Sequence, residues 1–167
     1  MADKSKIGYE FPARVLEVEK GKIAEFAMAV AQKDVPGKIN PLYNDEAAAK
    51  QAGYPGITIP PTFPTRVLFG TGAGLMGVVK ALGINLGRLL HGEEEYEYLG
   101  SVCAGDVITG QMKVVDMYDK EKKGNPSKFM KFTILEMEMR NQRGELVIKA
   151  RSIFVERQED DSVHTFC

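Results

Sequence analysis

Tryptophan is absent from the 167 residues, and cysteine and histidine occur only twice each, as Cys103, Cys167, His91 and His164. Two cysteines make no disulfide framework and fit a reducing compartment. Cys103 has no histidine nearby in sequence, and His164 stands near Cys167 only in the acidic tail, so a thiol nucleophile is unsupported. Two histidines in no paired-ligand spacing leave little for a zinc site, and neither a metal nor another cofactor is expected. An excess of either charge is also missing: 22 Lys+Arg face 23 Asp+Glu, for a net charge of -1. That balance carries no electrostatic footprint for nucleic acid. No apolar run of about 18 residues occurs, so no membrane span is expected. Met1 to Lys6 is polar and leads into no apolar stretch, so no secretory leader is expected and the chain reads as cytoplasmic.

What is present is ordinary for a globular chain: 44% hydrophobic and 27% charged residues. The length suits one domain, read as residues 1–157, followed by an acidic flexible tail over 158–167. Arg14 to Glu19 alternates as a short strand. Ile23, Phe26, Ala27 and Val30 recur at helical spacing, and Val35-Pro36-Gly37 is the expected stop. Asn40 to Asp45 reads as a loop, with Asn44 or Asp45 capping a short helix over Glu46 to Gln51 that Gly53 closes. The prolines and glycines of Gly53 to Thr62 forbid regular structure. An apolar, glycine-rich segment then runs from Phe63 to Leu90, in which Phe63 to Leu82 is expected to form one long helix. From Glu93 the period changes to two. Strands are expected over Glu93 to Leu99, Val107 to Tyr118, Lys128 to Arg140 and Glu145 to Arg157. The charged stretch Lys120 to Ser127 and the Asn141 to Gly144 turn join the last three. The order implies an α+β fold, a curved antiparallel sheet wrapped on a long central helix, whose open edges favour at least a dimer.

Three signals bear on chemistry. Gly72-Ala73-Gly74-Leu75-Met76-Gly77 spells G-x-G-x-x-G, but no core strand precedes it and no βαβ unit surrounds it. Close helix packing or ligand approach explains it better than a dinucleotide site. His91, before Glu93-Glu94-Glu95, is a structural or solvated histidine, or else a proton donor or an orienting group for a ligand carbonyl.

The third signal is the most specific. Asn40-Pro41-Leu42-Tyr43-Asn44-Asp45, Ala47-Ala48, and Gly53-Tyr54-Pro55-Gly56-Ile57-Thr58-Ile59-Pro60-Pro61-Thr62 stand in order ahead of Leu90-His91-Gly92-Glu93-Glu94, Tyr96-Glu97-Tyr98, Ala104-Gly105-Asp106, Asn141 to Gly144 and Ala150-Arg151-Ser152. Over about Ile7 to Arg157 this series resembles the MaoC-like hydratase/dehydratase family, in its FAS1-type dehydratase branch. The resemblance implies a hot-dog fold and reversible hydration of trans-2-enoyl thioesters of coenzyme A or acyl carrier protein to (R)-3-hydroxyacyl thioesters. That chemistry needs a base to activate water, an acid at C2, and amide donors for the enolate charge at the carbonyl.

The chain departs from the pattern of active members, D-x-N-P-x-H-x-D. Lys38 stands at the aspartate position and Tyr43 at the histidine position. A phenol with an ordinary pKa of about 10 is a poor base at neutral pH. No catalytic residue is therefore assigned, and His91 remains a candidate. The resemblance implies that such chains pair as a homodimer, or as a heterodimer with a catalytic MaoC-like subunit. Substrate contacts are expected from Asn40, Tyr43, Asp45, Gly56, Ile57, His91 and Gly92, lining one thioester tunnel. The alternatives are a self-sufficient enzyme using His91 and Tyr43, a thioesterase, and a catalytically inactive hot dog that binds an acyl thioester or scaffolds a complex.

Overall fold

The period-two segments assemble into one antiparallel sheet in the computed structural model, which describes residues 3–31, 39–70, 73–122 and 125–157. Its strands are β1 (Arg14–Glu17), β2 (Leu89–Tyr98), β3 (Val107–Lys122), β4 (Asn125–Arg140) and β5 (Leu146–Arg157), in the order β1-β3-β4-β5-β2. Alternation sets the two faces. Met112 and Val114 of β3, Leu135, Met137 and Met139 of β4, and Ile148, Ala150 and Phe154 of β5 turn inward and are buried. Lys113, Glu136 and Arg151, on the intervening positions, are exposed. Irregularities in register at Val114/Asp116 and at His91/Glu93 help to curl the sheet.

The concave face closes on helices. α1 (Lys20–Val30) contributes Ile23 and Ala27, and α2 (Glu46–Gln51) contributes Ala49. The expected long helix over Phe63 to Leu82 is instead two: α3 (Thr65–Phe69) and α4 (Gly74–Leu82). The break falls in the glycine-rich stretch. Gly74 opens α4 at a φ of +57°, and a Cβ there would lie 2.7 Å from the Phe69 carbonyl oxygen, so only glycine fits the junction. Buried Arg14 spans it from β1, donating to the carbonyls of Leu68 and Gly74. Phe63, Val67, Leu68, Val78, Val79 and Leu82 join the inward face of the sheet in one core. This is the hot-dog architecture, with a broken rather than continuous central helix.

Other boundaries also move. β2 begins at Leu89, four residues before the expected start at Glu93, because Leu89 and Leu90 pair with Glu156 and Val155 of β5. β3 and β4 run further into their charged hairpin than Tyr118 and Lys128. α1 ends at Val30, before the expected stop at Val35-Pro36-Gly37. That stop, Lys38, the 158–167 tail and Gly72 of the glycine motif lie outside the described residues. The motif follows a helix, α3, rather than a strand, which removes the geometry a dinucleotide site requires. Among the described residues no helix is long and apolar enough to cross a membrane.

Candidate functional site

The Asn40–Asp45 loop is built by its own side chains. Asn40 Oδ1 accepts from the Leu42 N–H at 3.0 Å, holding the turn Pro41–Tyr43. Asp45 Oδ1 accepts from the N–H groups of Ala47 and Ala48 at 2.9 and 3.2 Å, and so caps α2. Asn40 and Asp45, two of the side chains expected to touch substrate, are thus engaged in local structure. The loop is then tied to the next segment by the Thr58 N–H, which donates to the Leu42 carbonyl at 3.2 Å.

The Gly53–Thr62 stretch is irregular, as its composition requires, but it is anchored. Ile59 N–H donates to Val102 O, Ala104 N–H to Ile57 O, and the Thr58 hydroxyl to Val102 O. Ile57 faces the core, and Gly56 sits beside Cys103, whose thiol is 3.6 Å from the Gly56 carbonyl. Burial pushes that thiol above its ordinary value, which keeps it protonated and unreactive.

Between this stretch and the end of β2 lies a cleft of about 450 Å³. Its polar character comes from Tyr43, Tyr54, Thr58 and Tyr98, set among Leu42, Ile59 and the Leu99–Val102 turn. Burial, and then the neighbouring Tyr54, push the Tyr43 phenol above its ordinary value. Burial pushes Tyr98 up strongly, with a smaller contribution from Tyr43. The Tyr98 hydroxyl donates to the Pro61 carbonyl at 2.8 Å. The Tyr43 and Tyr98 phenols are therefore neutral at physiological pH: they donate hydrogen bonds but do not remove a proton from water. Of the residues expected to bind substrate, Tyr43 lines this cleft; Asn40, Asp45, Gly56, Ile57, His91 and Gly92 do not.

His91 and Gly92 sit at the opposite end of β2, roughly 20 Å along the strand from Tyr98 at the usual strand rise. There a second polar group forms. His91 Nε2 lies 2.9 Å from Glu94 Oε2, and the Ser152 hydroxyl donates to the same oxygen. The rings of Phe69 and Phe154 flank the imidazole, each with its centroid 5.9 Å away. Residues three apart on a regular strand point to opposite faces. The bulge between His91 and Glu93 removes that mismatch and turns both side chains inward, opposite Phe154 and Ser152. Gly92 permits it, because a Cβ would meet Val155 Cγ2 at 2.9 Å and the Ile153 carbonyl at 3.2 Å.

The Glu94 carboxylate is largely enclosed, with its side chain 14% exposed, whereas His91 is 46% exposed. Glu94 Oε1 is buried with no hydrogen-bond partner among the described residues. Next along the strand, the Tyr96 hydroxyl lies 2.8 Å from Thr65 Oγ1 of α3. Burial drives its ionisation up, the Thr65 contact opposes this, and the charge of Glu94 adds to it. Sequence reasoning named His91 but missed Glu94, Ser152 and Tyr96. Their signal was the bulge, which a lone glycine in a period-two run announces only weakly. Among the described residues no three His, Cys, Asp or Glu side chains cluster to hold a metal ion.

Residues 5–150 match the family described as FAS1-like, dehydratase domain region. The UPF0336 protein of Thermobifida fusca is 35% identical over 154 residues, covering 92% of this chain and 91% of that relative. The C-terminally truncated HadBC complex of Mycobacterium tuberculosis, a 3R-hydroxyacyl-ACP dehydratase, shares the fold with a TM-score of 0.70 at 19% identity, over 90% of this chain and 96% of that one. The MaoC-like dehydratase of Rhodospirillum rubrum does so with a TM-score of 0.60 at 19% identity, over 92% and 94%.

Proposed function

The chain belongs to the FAS1-like dehydratase family, and we propose that it is one subunit of a MaoC-like hydratase/dehydratase handling 2-enoyl and 3-hydroxyacyl thioesters of coenzyme A or acyl carrier protein. In the hydration direction, the oxygen of water bonds to C3 and a proton is delivered to C2. The acid–base pair for those transfers comes from a second hot-dog chain. This chain contributes half of the pair and a cleft for the thioester. The similarity of its fold to a subunit of a dehydratase complex supports that division.

One observation carries the reading. At the position where the family resemblance calls for histidine stands Tyr43, a phenol pushed above its ordinary value by burial and by Tyr54. Its polar neighbours in the cleft include Tyr98, whose phenol burial also pushes up, and Thr58, and Asp45 is committed to capping α2. The cleft binds and orients; it does not supply a base at neutral pH. A buried free thiol, Cys103, is consistent with a reducing cytoplasm as the place of work.

The test is turnover of an enoyl thioester by the purified chain, by the chain mixed with a D-x-N-P-x-H-bearing partner, and by the double variant Lys38→Asp/Tyr43→His. The wild type alone is expected at background and active with the partner. The double variant is expected to gain on the order of 10²-fold, at the low end of what acid–base groups contribute. Robust turnover by the wild type alone, lost in His91→Ala, would overturn the assignment and move the chemistry to the His91–Glu94 group. The second reading, an inactive acyl-thioester-binding or scaffolding protein, is favoured by the same base-free cleft. It predicts thioester binding that no partner converts into turnover.

A further inference from the structure

The cleft beside Tyr43 carries no charge. None of its lining residues is aspartate, glutamate, lysine, arginine or histidine. Phosphate groups are held by lysine, arginine or free helix N-termini. The helix that starts just after Tyr43, α2, is already capped by Asp45 and has Glu46 in its first turn, so its N-terminus repels an anion. The nucleotide end of a coenzyme A thioester therefore finds no partner here. The part of the ligand that suits this cleft is its uncharged acyl end.

The walls are aromatic. Tyr43, Tyr54 and Tyr98 all line the cleft, and the electrostatic influence of Tyr54 on Tyr43, and of Tyr43 on Tyr98, makes them neighbours. Elsewhere in the chain aromatic rings pack on one another, as Phe26 does on Phe63 at 5.3 Å and Tyr118 on Phe132 at 5.0 Å. Among the described residues no ring packs on any of the three tyrosines. Their polar ends are sorted too. The Tyr98 hydroxyl donates to the Pro61 carbonyl at 2.8 Å, and that of Thr58 to the Val102 carbonyl at 3.2 Å. The hydroxyls of Tyr43 and Tyr54 have no such partner among the described residues.

The cleft is also short. Thr58, Ile59 and Val102 are buried, and the Ile59 N–H and the Thr58 hydroxyl both donate to the Val102 carbonyl, which ties these walls together. Ile59 and Val102 join a core filled by Phe63, Met137 and Met139, each no more than 2% exposed. A volume of about 450 Å³ holds a ring and its link to a thioester, whereas a long linear tail outgrows it. A flexible chain held in an open cleft also gives up more rotamer freedom than a rigid ring does. A ring gains contact with other rings beyond the area it buries.

We propose that the Tyr43–Tyr54–Tyr98 cleft is a ring-selective acyl subsite, which takes 2-enoyl thioesters bearing a flat ring beside the double bond in preference to linear ones. This rests on the reading of the chain as a thioester-handling subunit and names the acyl class it takes.

The test is calorimetric titration of the purified chain with crotonyl-, trans-2-decenoyl- and cinnamoyl-coenzyme A and with free coenzyme A. It reads binding by this chain alone and needs no partner. The cinnamoyl thioester is expected to bind at least about tenfold more tightly than either linear thioester. Free coenzyme A is expected to bind more weakly than all of them. Tyr54→Leu removes a ring and keeps apolar bulk. It is expected to cut the preference to about twofold or less without weakening the linear thioesters. Tyr98→Leu is expected to do the same, but it also gives up the Pro61 hydrogen bond. It is therefore paired with Tyr98→Phe, which loses that bond, keeps the ring and is expected to keep the preference. A decenoyl thioester that binds as tightly as the cinnamoyl one would overturn the proposal and leave the thioester reading intact. Free coenzyme A binding as tightly as the cinnamoyl thioester, and weakened equally by Tyr54→Leu, would put the adenine in the cleft and also overturn it. Binding of none of the thioesters would overturn both the subsite and the reading beneath it, which turnover with the dyad-bearing partner tests separately.

Discussion

The two ends of β2 hold different chemistry on the same strand. At the Tyr98 end, three tyrosines and a threonine surround an open cleft, and burial keeps the phenols of Tyr43 and Tyr98 neutral. At the His91 end, an imidazole, a carboxylate and a hydroxyl are joined by hydrogen bonds under Phe69 and Phe154. The first end has space without a base, and the second has groups that can exchange protons but none of the expected loop residues beside them. Within this chain the open cleft and the hydrogen-bonded polar group therefore stand apart, at the two ends of one strand.

The comparison breaks first at Glu94. Glu94→Ala removes the acceptor shared by His91 and Ser152 and is expected to cost about 2–3 kcal/mol, as loss of buried hydrogen bonds to a charged group does. Urea denaturation measures it, and Ser152→Ala, which leaves the imidazole contact intact, is expected to cost less. If Glu94→Ala is neutral, the group at that end is a surface accident and the contrast between the ends disappears.

A pH-dependent test lies beside it. Burial raises the Glu156 carboxyl, but the Lys131 ammonium and the Asn85 N–H, which donates to it at 2.9 Å, outweigh this and hold it below its ordinary value. A carboxylate with a depressed native pKa adds stability above its unfolded value near 4.5 and loses it as pH falls through the native value. Lys131→Met is therefore expected to cost about 1–2 kcal/mol at pH 7, with the gap to wild type closing below about pH 4. Thermal melts of both proteins across pH 3–7 check the direction. A gap that widens on acidification would contradict it.

At the cleft end the expected effects are smaller. Tyr98→Phe removes one hydrogen bond, to the carbonyl of exposed Pro61, and should cost about 1 kcal/mol or less, because water replaces the donor. Smallest of all is Tyr43→Phe. Partner-dependent turnover should change far less than the 10²-fold or more that loss of an acid–base group brings, since a neutral phenol moves no proton. A collapse of kcat in Tyr43→Phe with KM unchanged would make Tyr43 a catalytic residue after all.

Much of the architecture was legible because it is local. The alternation in β3, β4 and β5 follows from the pleat, and the α2 boundaries follow from Asp45 and the alanines after it. The Asn141–Gly144 turn is fixed by Asn141 Oδ1, which accepts from the N–H groups of Arg143 and Glu145. The family was legible from the order and spacing of short motifs. The break between α3 and α4 was harder, because glycines lower helix stability without dictating where the chain turns. It is decided by the close approach of Gly74 to Phe69 and by the reach of Arg14 from β1.

By itself, then, the sequence determined the strand periods, the α2 start to within Asn44 or Asp45 as its cap, the hairpin turn, and the replacement of a family histidine by Tyr43. Only the tertiary structure decided that Tyr43 and His91 stand at opposite ends of β2, that Gly92 bulges to bring Glu94 beside His91, and that the acidic strand is terminal in the sheet. The reason is physical. Periodicity and capping are interactions between near neighbours in the chain, so residue spacing encodes them. Separation along a strand, register against β5 and position in the sheet depend on residues far away in sequence, and exist only once the sheet has formed.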